Sequence, residues 1–386
     1  MGVEKLKAKN YEELLDFVDL VFSQDLMKVH FGEDLGYLYA ADDEHMNRQY
    51  VYRDESGKIR SAIGVIPYTY KIGNESFKAK TITNVATHHR YTGRGYMQQL
   101  LKAALDDMEN DGTDFVVLHG NRERYRFWGF AMAGISHDAS FKAYNIPNLI
   151  KKGEKFDFSF FEIGYDDKEY IKKSLDLFNL ELQHYARTED DFLDAQSLWH
   201  GKTYAVLDCN GKYCGYLNYS EHFAPVIREI ELNSPKDAAR VIYSFLNFKG
   251  LQSISVHFSV FNAELNRAIY SAAENIGIGQ TTRLNLLKPE RFIKECLEIK
   301  RKSGVYMPDG EIVVENDIFG RLLIENNDGF SVCKTDVPPD IKIDGDDIYL
   351  MLFGPEHRDF MPWTDKLGDK TAWFPIPFYI QNTELY

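Results

Sequence analysis

The sequence predicts an α+β protein of three successive parts, the first two built on mixed, largely antiparallel sheets. Three observations predict it. The first 142 residues read, in order, as helix, antiparallel meander, helix, buried strand and helix. Residues 157–288 repeat that theme loosely, and from Pro289 the pattern changes again. At 386 residues the chain also exceeds what one ordinary core covers. The expected parts are residues 1–142, 143–288 and 289–386.

Each element has its own signal. Residues 10–23 (NYEELLDFVDLVFS) carry the spacing of an amphipathic helix, with Asn10 placed to cap it. Residues 48–53 read as a strand, Asp54 to Gly57 as a turn and 58–71 as its return. A second turn at Gly73-Asn74 leads into 77–87. In YMQQLLKAALDDMEND, Met97, Leu100, Leu101, Ala104, Leu105 and Met108 share one helical face, and Gly112 ends the helix. FVVLHG (115–120) is a short buried strand. Residues 142–156, with Pro147, Gly153 and several lysines, read as a connection. Beyond it come helical patterns near 167–199, a hairpin at Asn210-Gly211 and a strand at 227–232. Ser234-Pro235 opens a helix, and a strand at 253–258 leads into another. The last part is one helix, several short strands over 311–334, a helix near 345–353 and a proline-rich apolar end.

Composition excludes several classes. Acidic residues outnumber basic ones, 59 to 45, giving a formal net charge of −14. That balance argues against nucleic acid as the main partner, and suits cationic ligands or plain solubility. A hydrophobic fraction of 44% rules out wholesale disorder. No apolar run approaches membrane-spanning length, so no membrane span is expected. The charged stretch Met1 to Lys9 does not read as a secretory signal, and Leu6 breaks the myristoylation pattern. Cys209, Cys214, Cys296 and Cys333 are too sparse for a disulfide scaffold, which points to a reducing cytoplasm. No HExxH and no Cys/His cluster occurs, so no metal is expected. Asp344-Gly345-Asp346-Asp347 lacks EF-hand spacing and reads as a helix-capping turn.

The most informative stretch is Arg90-Tyr91-Thr92-Gly93-Arg94-Gly95, between a strand and a helix. Two glycines let backbone N–H groups approach a ligand without Cβ obstruction. The helix N-terminus adds partial positive charge, and Arg90 and Arg94 add whole charges. Together these suit a pyrophosphate, although a tight turn alone also asks for glycine. Other phosphate motifs fail. GxGxxG needs glycine where Gln98 stands, and the Gly201-Lys202-Thr203 tripeptide has Gln196 where a P-loop has its first glycine. The preceding strand is antiparallel, against a Rossmann unit.

The pattern RxxGxG after an antiparallel strand resembles that of GCN5-related N-acetyltransferases, the GNAT superfamily. TNVATHHRYTGRGYMQQLL and FVVLHGNRERYRFWGF are similar to the acetyl-CoA half of such enzymes. Chain length, part order and ending resemble the Eis-type acetyltransferases. That resemblance implies a working GNAT domain (1–142), a degenerate one (143–288) and a sterol-carrier-protein-like domain (289–386). It implies acetyl-CoA as cosubstrate, held by Asn84, Val85, Arg90, Tyr91, Thr92, Gly93, Arg94, Gly95, Tyr96 and Asn121. Tyr91 and Thr92 stand where Eis-type chains often carry more arginine. The degenerate half has Glu231-Leu-Asn-Ser-Pro235-Lys236 at the matching turn, with no glycine pair, so one CoA per chain is expected.

Amide formation needs a proton taken from an ammonium and one given to a thiolate. Tyr125, a phenol of ordinary pKa about 10, suits the donor; a plain core tyrosine beside Phe127 and Trp128 is the competing reading. The resemblance implies that the carboxylate of Tyr386 is the base. The apolar, proline-stiffened ending suggests that it docks inside the protein. His88, His89 and His119 are further candidate bases. Asp25 and Glu384 are candidate contacts to a cationic substrate. The resemblance implies an acceptor that is an amine-bearing small molecule, such as an aminoglycoside or polyamine, or a lysine side chain. It also implies a homo-oligomer, a hexamer. The alternative is a non-catalytic CoA- or lipid-binding protein on the same scaffold, since fold does not guarantee chemistry.

Overall fold

The computed structural model describes residues 2–24, 29–354 and 361–384, with every side chain among them except that of residue 281. The chain begins with β1 (Gly2–Lys5) and α1 (Tyr11–Phe22), which buries Leu14, Phe17 and Val18. Two short helices follow, α2 (Phe31–Asp34) and α3 (Asp43–Met46). Then comes the expected meander: β2 (Gln49–Arg53), β3 (Ile59–Ile72) and β4 (Glu75–Thr87). Helix α4 (Tyr96–Asn110) crosses back, and β5 (Phe115–Leu118) lies parallel to β4. Helix α5 (Arg122–Tyr125) and β6 (Ala131–Lys142) complete this part.

The second part contains α6 (Ile146–Lys151), β7 (Ser159–Glu162), α7 (Lys168–Phe178), β8 (Gln183–Tyr185) and α8 (Phe192–Ser197). The hairpin β9 (Lys202–Leu207) and β10 (Tyr213–Ser220) turns at Asn210-Gly211, as its sequence demands. Next come β11 (Val226–Leu232), α9 (Ala238–Phe248), β12 (Ser253–Phe258), α10 (Ala263–Tyr270) and β13 (Asn275–Leu286). The third part is α11 (Pro289–Lys302), β14 (Gly310–Asn316), β15 (Gly320–Asn326), β16 (Phe330–Lys334), β17 (Ile341–Lys342), α12 (Asp347–Phe353) and α13 (Thr364–Leu367).

The first two parts share one sheet, in the order β1-β2-β3-β4-β5-β13-β6-β12-β11-β10-β9-β7, with β8 against β3. They exchange strands at the middle: β13 lies between β5 and β6, and β6 pairs with β12. The apolar face of α4 (Leu100, Leu101, Ala104, Met108) packs on Ile63, Val65, Val116 and Leu118. Burying each of those leucines contributes roughly 1.5–3 kcal/mol. Helix α9 does the same in the second part with Val241, Ile242 and Phe245. Strands β14 to β17 form a separate small sheet, packed with α11 and α12 against Phe77, Phe115 and Leu284 of the large one.

The final segment is threaded through the interior. Phe374, Ile376, Phe378 and Tyr379 are buried, and the Phe378 carbonyl accepts a hydrogen bond from the Ile135 amide at 2.7 Å. Gln183 fixes the same segment, accepting from the Tyr379 amide at 2.9 Å and donating to the Pro377 carbonyl at 2.9 Å. Among the described residues no helix is long and apolar enough to cross a membrane.

Three local expectations are corrected. Asn10 precedes α1 but does not cap it, because it already sits in a 3₁₀ turn (Ala8–Asn10); its side chain donates to Glu13 at 3.3 Å instead. Residues 142–156 are not only a connection, since Pro147 opens the short helix α6. Asp346 does not cap α12 with its side chain: Arg122 and Arg126 hold that carboxylate, at 2.6 and 3.4 Å.

Candidate active site

The site grows from the way β4 leaves β5. Their parallel pairing ends at Ile82↔Leu118, yet β4 runs on through residues 83–87. A bulge against β3 at this point, with Asn84 at φ +42°, turns the strand away. The gap between the two strands opens at the N-terminus of α4. There Gly93 and Gly95 both adopt φ +76°, a left-handed conformation that a side chain resists. No side chain caps α4, so its first N–H groups keep their hydrogen-bonding capacity for a ligand.

A cleft of about 390 Å³ occupies this gap. Of the residues expected to hold the cofactor, Val85, Tyr91, Thr92, Gly93, Arg94, Gly95 and Tyr96 line it together. Its charged lining residues are Arg94 and Arg124, and among the described residues no acidic one lines it. Arg94 and Arg60 each lie over the Tyr91 ring, at 4.7 and 4.1 Å from its centre, so this tyrosine organises positive charge although it supplies none. Tyr96 is stacked on Tyr52 at 4.0 Å, which fixes the first turn of α4.

Three expected residues stand outside the lining. Asn84 is buried and donates to Gln49 at 3.2 Å. Arg90 is exposed, and its amide donates to His88 Nδ1 at 3.2 Å. Asn121 caps α5, accepting from the Glu123 amide at 3.0 Å. The lining adds Val21, Thr87, Met97, Gln98 and Arg124, which the sequence reading did not single out. The alternation Arg122-Glu123-Arg124-Tyr125-Arg126 was the available signal for Arg124.

Tyr125 ends α5 and is 3% exposed. It packs so closely on Gly120, just past β5, that a Cβ there would meet its Cε2 at 2.6 Å. Burial raises its phenol above the ordinary value, and Arg124 beside it pulls part of the way back. The phenol is therefore protonated at neutral pH. His119, beside Gly120, is half-buried, and neither ring nitrogen has a hydrogen-bond partner among the described residues. Burial first, then Arg283, lowers its pKa to about 4, so the imidazole is neutral.

Glu384 is not a free carboxylate. It is 6% exposed, and Arg187 donates to it from Nη2 at 2.6 Å and Nε at 2.8 Å. The same guanidinium holds Glu229 at 3.0 Å, and Thr383 bridges them. Glu384, expected as a cation contact, thus already has its charge matched by Arg187 inside the protein. Asp25 and Tyr386 lie outside the described residues.

One cluster had no sequence signal at all. Asp34, His200 and His222, far apart in the chain, bring one ligand atom each within 4.8 Å of one another. His200 Nε2 lies 2.7 Å from Asp34 Oδ1, joining the first part to the second.

Residues 2–133 match the family model described as an acetyltransferase (GNAT) domain. No curated protein sequence matches the chain. Solved structures do, over nearly the full length. A probable N-acyltransferase of unknown function from Enterococcus faecalis is 15% identical, with 98% of each chain covered and a TM-score of 0.69. A GCN5-related N-acetyltransferase from Kribbella flavida is 14% identical, with 100% of this chain and 98% of that one covered and a TM-score of 0.69. Eis1 from Mycobacterium abscessus is 14% identical, with 98% and 99% covered and a TM-score of 0.66. At these identities the likeness is one of fold. The chain thus carries an acetyltransferase domain of the GNAT class in its first third, within a fold shared end to end with these structures.

Proposed function

We propose that the chain is an acetyl-CoA-dependent N-acetyltransferase acting on amines of a cationic small molecule or on lysine side chains. The observation that carries the reading is the β4/β5 gap: two left-handed glycines, an uncapped helix start and two arginines in an otherwise acidic protein. Such a gap suits the pyrophosphate of CoA. Gly93, Gly95 and the first turn of α4 would hold the phosphates, with Arg94 and Arg124 adding charge. Arg90, Asn84 and Asn121 act from outside the lining, on the loop, the bulge and the start of α5.

In the transfer, the acceptor nitrogen loses a proton and attacks the thioester carbonyl. The C–S bond breaks and the phenol of Tyr125 gives its proton to the departing sulfur. We assign the proton acceptor to the carboxylate of Tyr386, following the resemblance. A second reading has a specific observation behind it: His119 is neutral, as a base must be before it acts, and neither of its ring nitrogens has a hydrogen-bond partner among the described residues.

By the same resemblance, the third part is proposed to be sterol-carrier-like, the assembly a hexamer and the compartment the cytoplasm. The bounds 1–142, 143–288 and 289–386 are proposed for the three parts, the first two of which share one sheet. The test is mass detection of acetyl transfer from acetyl-CoA to a panel of polyamines, aminoglycosides and lysine peptides. The reading expects product with at least one amine. Tight acetyl-CoA binding with no product across the panel would replace it with the binding-protein alternative.

A further inference from the structure

Strand β11 leaves β12 as β4 leaves β5. Their parallel pairing is limited to Val226↔Ser255 and Ile227↔Val256, and β11 then runs on through residues 228–232. A register shift against β10 marks the departure. The gap holds a cleft of about 460 Å³, lined from β11 and its end by Glu231, Leu232, Asn233 and Pro235. The end of α7 and the start of α10 supply the opposite walls.

This cleft inverts the first in charge. Its charged lining residues are Glu181, Glu231 and Glu264, and among the described residues no cation lines it. Glu231 decides the matter. It is only 8% exposed, lines the cleft, and has no hydrogen-bond or ion-pair partner among the described residues. Its neighbour Glu181 accepts one hydrogen bond, from the Ser259 hydroxyl. The nearby Arg187 is already shared between Glu229 and Glu384. Buried carboxylates are normally paired, and no described residue pairs with Glu231. Burial first raises both Glu181 and Glu231 above the usual carboxylate range; Glu229 repels both, and Glu181 also repels Glu231.

The remaining lining is Leu177, Leu180, Leu182, Phe261 and Ala263, with Asn262 as a further polar residue. A hard divalent ion wants six or more oxygens around it, and Asp34, His200 and His222 offer a metal a closer donor set elsewhere. A buried Glu231, a half-buried Glu181, several leucines, an aromatic ring and an exposed Glu264 on the first turn of α10 suit a flexible chain with a cation at each end. We infer that the β11/β12 cleft is a binding site for an alkyl diammonium ion, with Glu231 and Glu181 holding one ammonium and Glu264 facing the other. The site shares no lining residue with the β4/β5 cleft and does not depend on the transferase reading.

The test is calorimetry on the full chain with 1,5-diaminopentane, 1-pentanol and calcium chloride as separate titrants. The diamine is expected to bind at one per chain, with pentanol silent and calcium unable to displace it. Glu231→Gln, nearly isosteric, is expected to weaken the diamine at least tenfold while leaving acetyl-CoA affinity unchanged. Glu264→Gln, at an exposed position that does not threaten folding, is expected to weaken it about threefold. The assignment is overturned by equal diamine affinity in Glu231→Gln and the natural chain, by equal binding of pentanol, by displacement with calcium, or by no diamine binding at all.

Discussion

The β4/β5 and β11/β12 gaps are built alike and equipped oppositely. In each, a parallel pair stops early, a bulge turns the longer strand away, and that strand runs on for five residues (83–87 and 228–232). A helix then begins at the mouth. In the first gap the loop is Gly93-Arg94-Gly95 and the helix start is left open. In the second it is Asn233-Ser234-Pro235, and the proline removes one of the N–H groups a phosphate would need. The first lining carries two arginines, the second three glutamates. Backbone topology makes the cavity; a few loop and strand residues decide which sign of charge it accepts.

The largest expected effect separates the gaps by chemistry. Tyr125→Phe should lower kcat by roughly 10²–10⁴-fold, the usual contribution of a general acid, with acetyl-CoA affinity unchanged. Steady-state kinetics beside calorimetry checks this. A variant as fast as the natural enzyme would put the two gaps on an equal footing and remove Tyr125 from the mechanism.

Next comes Arg187, which binds the second part to the final segment. Arg187→Met leaves Glu229 and Glu384 buried without their cation, and breaking such a group costs about 3–5 kcal/mol. Denaturant unfolding should show that loss. Glu264→Gln, on the exposed α10 turn, should show almost none.

Gly95→Val comes third. It places a β-branched residue at φ +76° and should weaken acetyl-CoA about tenfold to a hundredfold, measured by calorimetry. The smallest effect is in pH dependence. The folded His119 titrates near 4, below its ordinary 6.5. Between those values the unfolded chain binds more protons, so stability falls as pH drops from 6.5 towards 4. His119→Leu should flatten that slope in thermal melts across this window, and an unchanged slope would deny the burial of a neutral imidazole.

Much of this comparison was legible in the sequence, because its signals are local. The helical face from Met97 to Met108, the glycine pair before it and the Asn210-Gly211 hairpin each declare themselves within a few residues. The Glu231-to-Lys236 turn likewise announces its lack of glycine. What stayed hidden depends on pairing across the chain. Strand β13, a stretch to which the sequence analysis assigns no element, is inserted between β5 and β6. Glu384 reads as a free terminal acid until the fold brings Arg187 to it. Val21 and Arg124 join the first cleft, and Glu181 joins Glu231, only through packing.

The central claim is that only the first gap accepts acetyl-CoA. It is tested most directly by the calorimetric stoichiometry of acetyl-CoA on the full chain and on a Gly93→Val/Gly95→Val variant. The account predicts one acetyl-CoA per natural chain and a loss of at least tenfold in affinity in the variant. Two per chain, or undiminished binding in the variant, would contradict it.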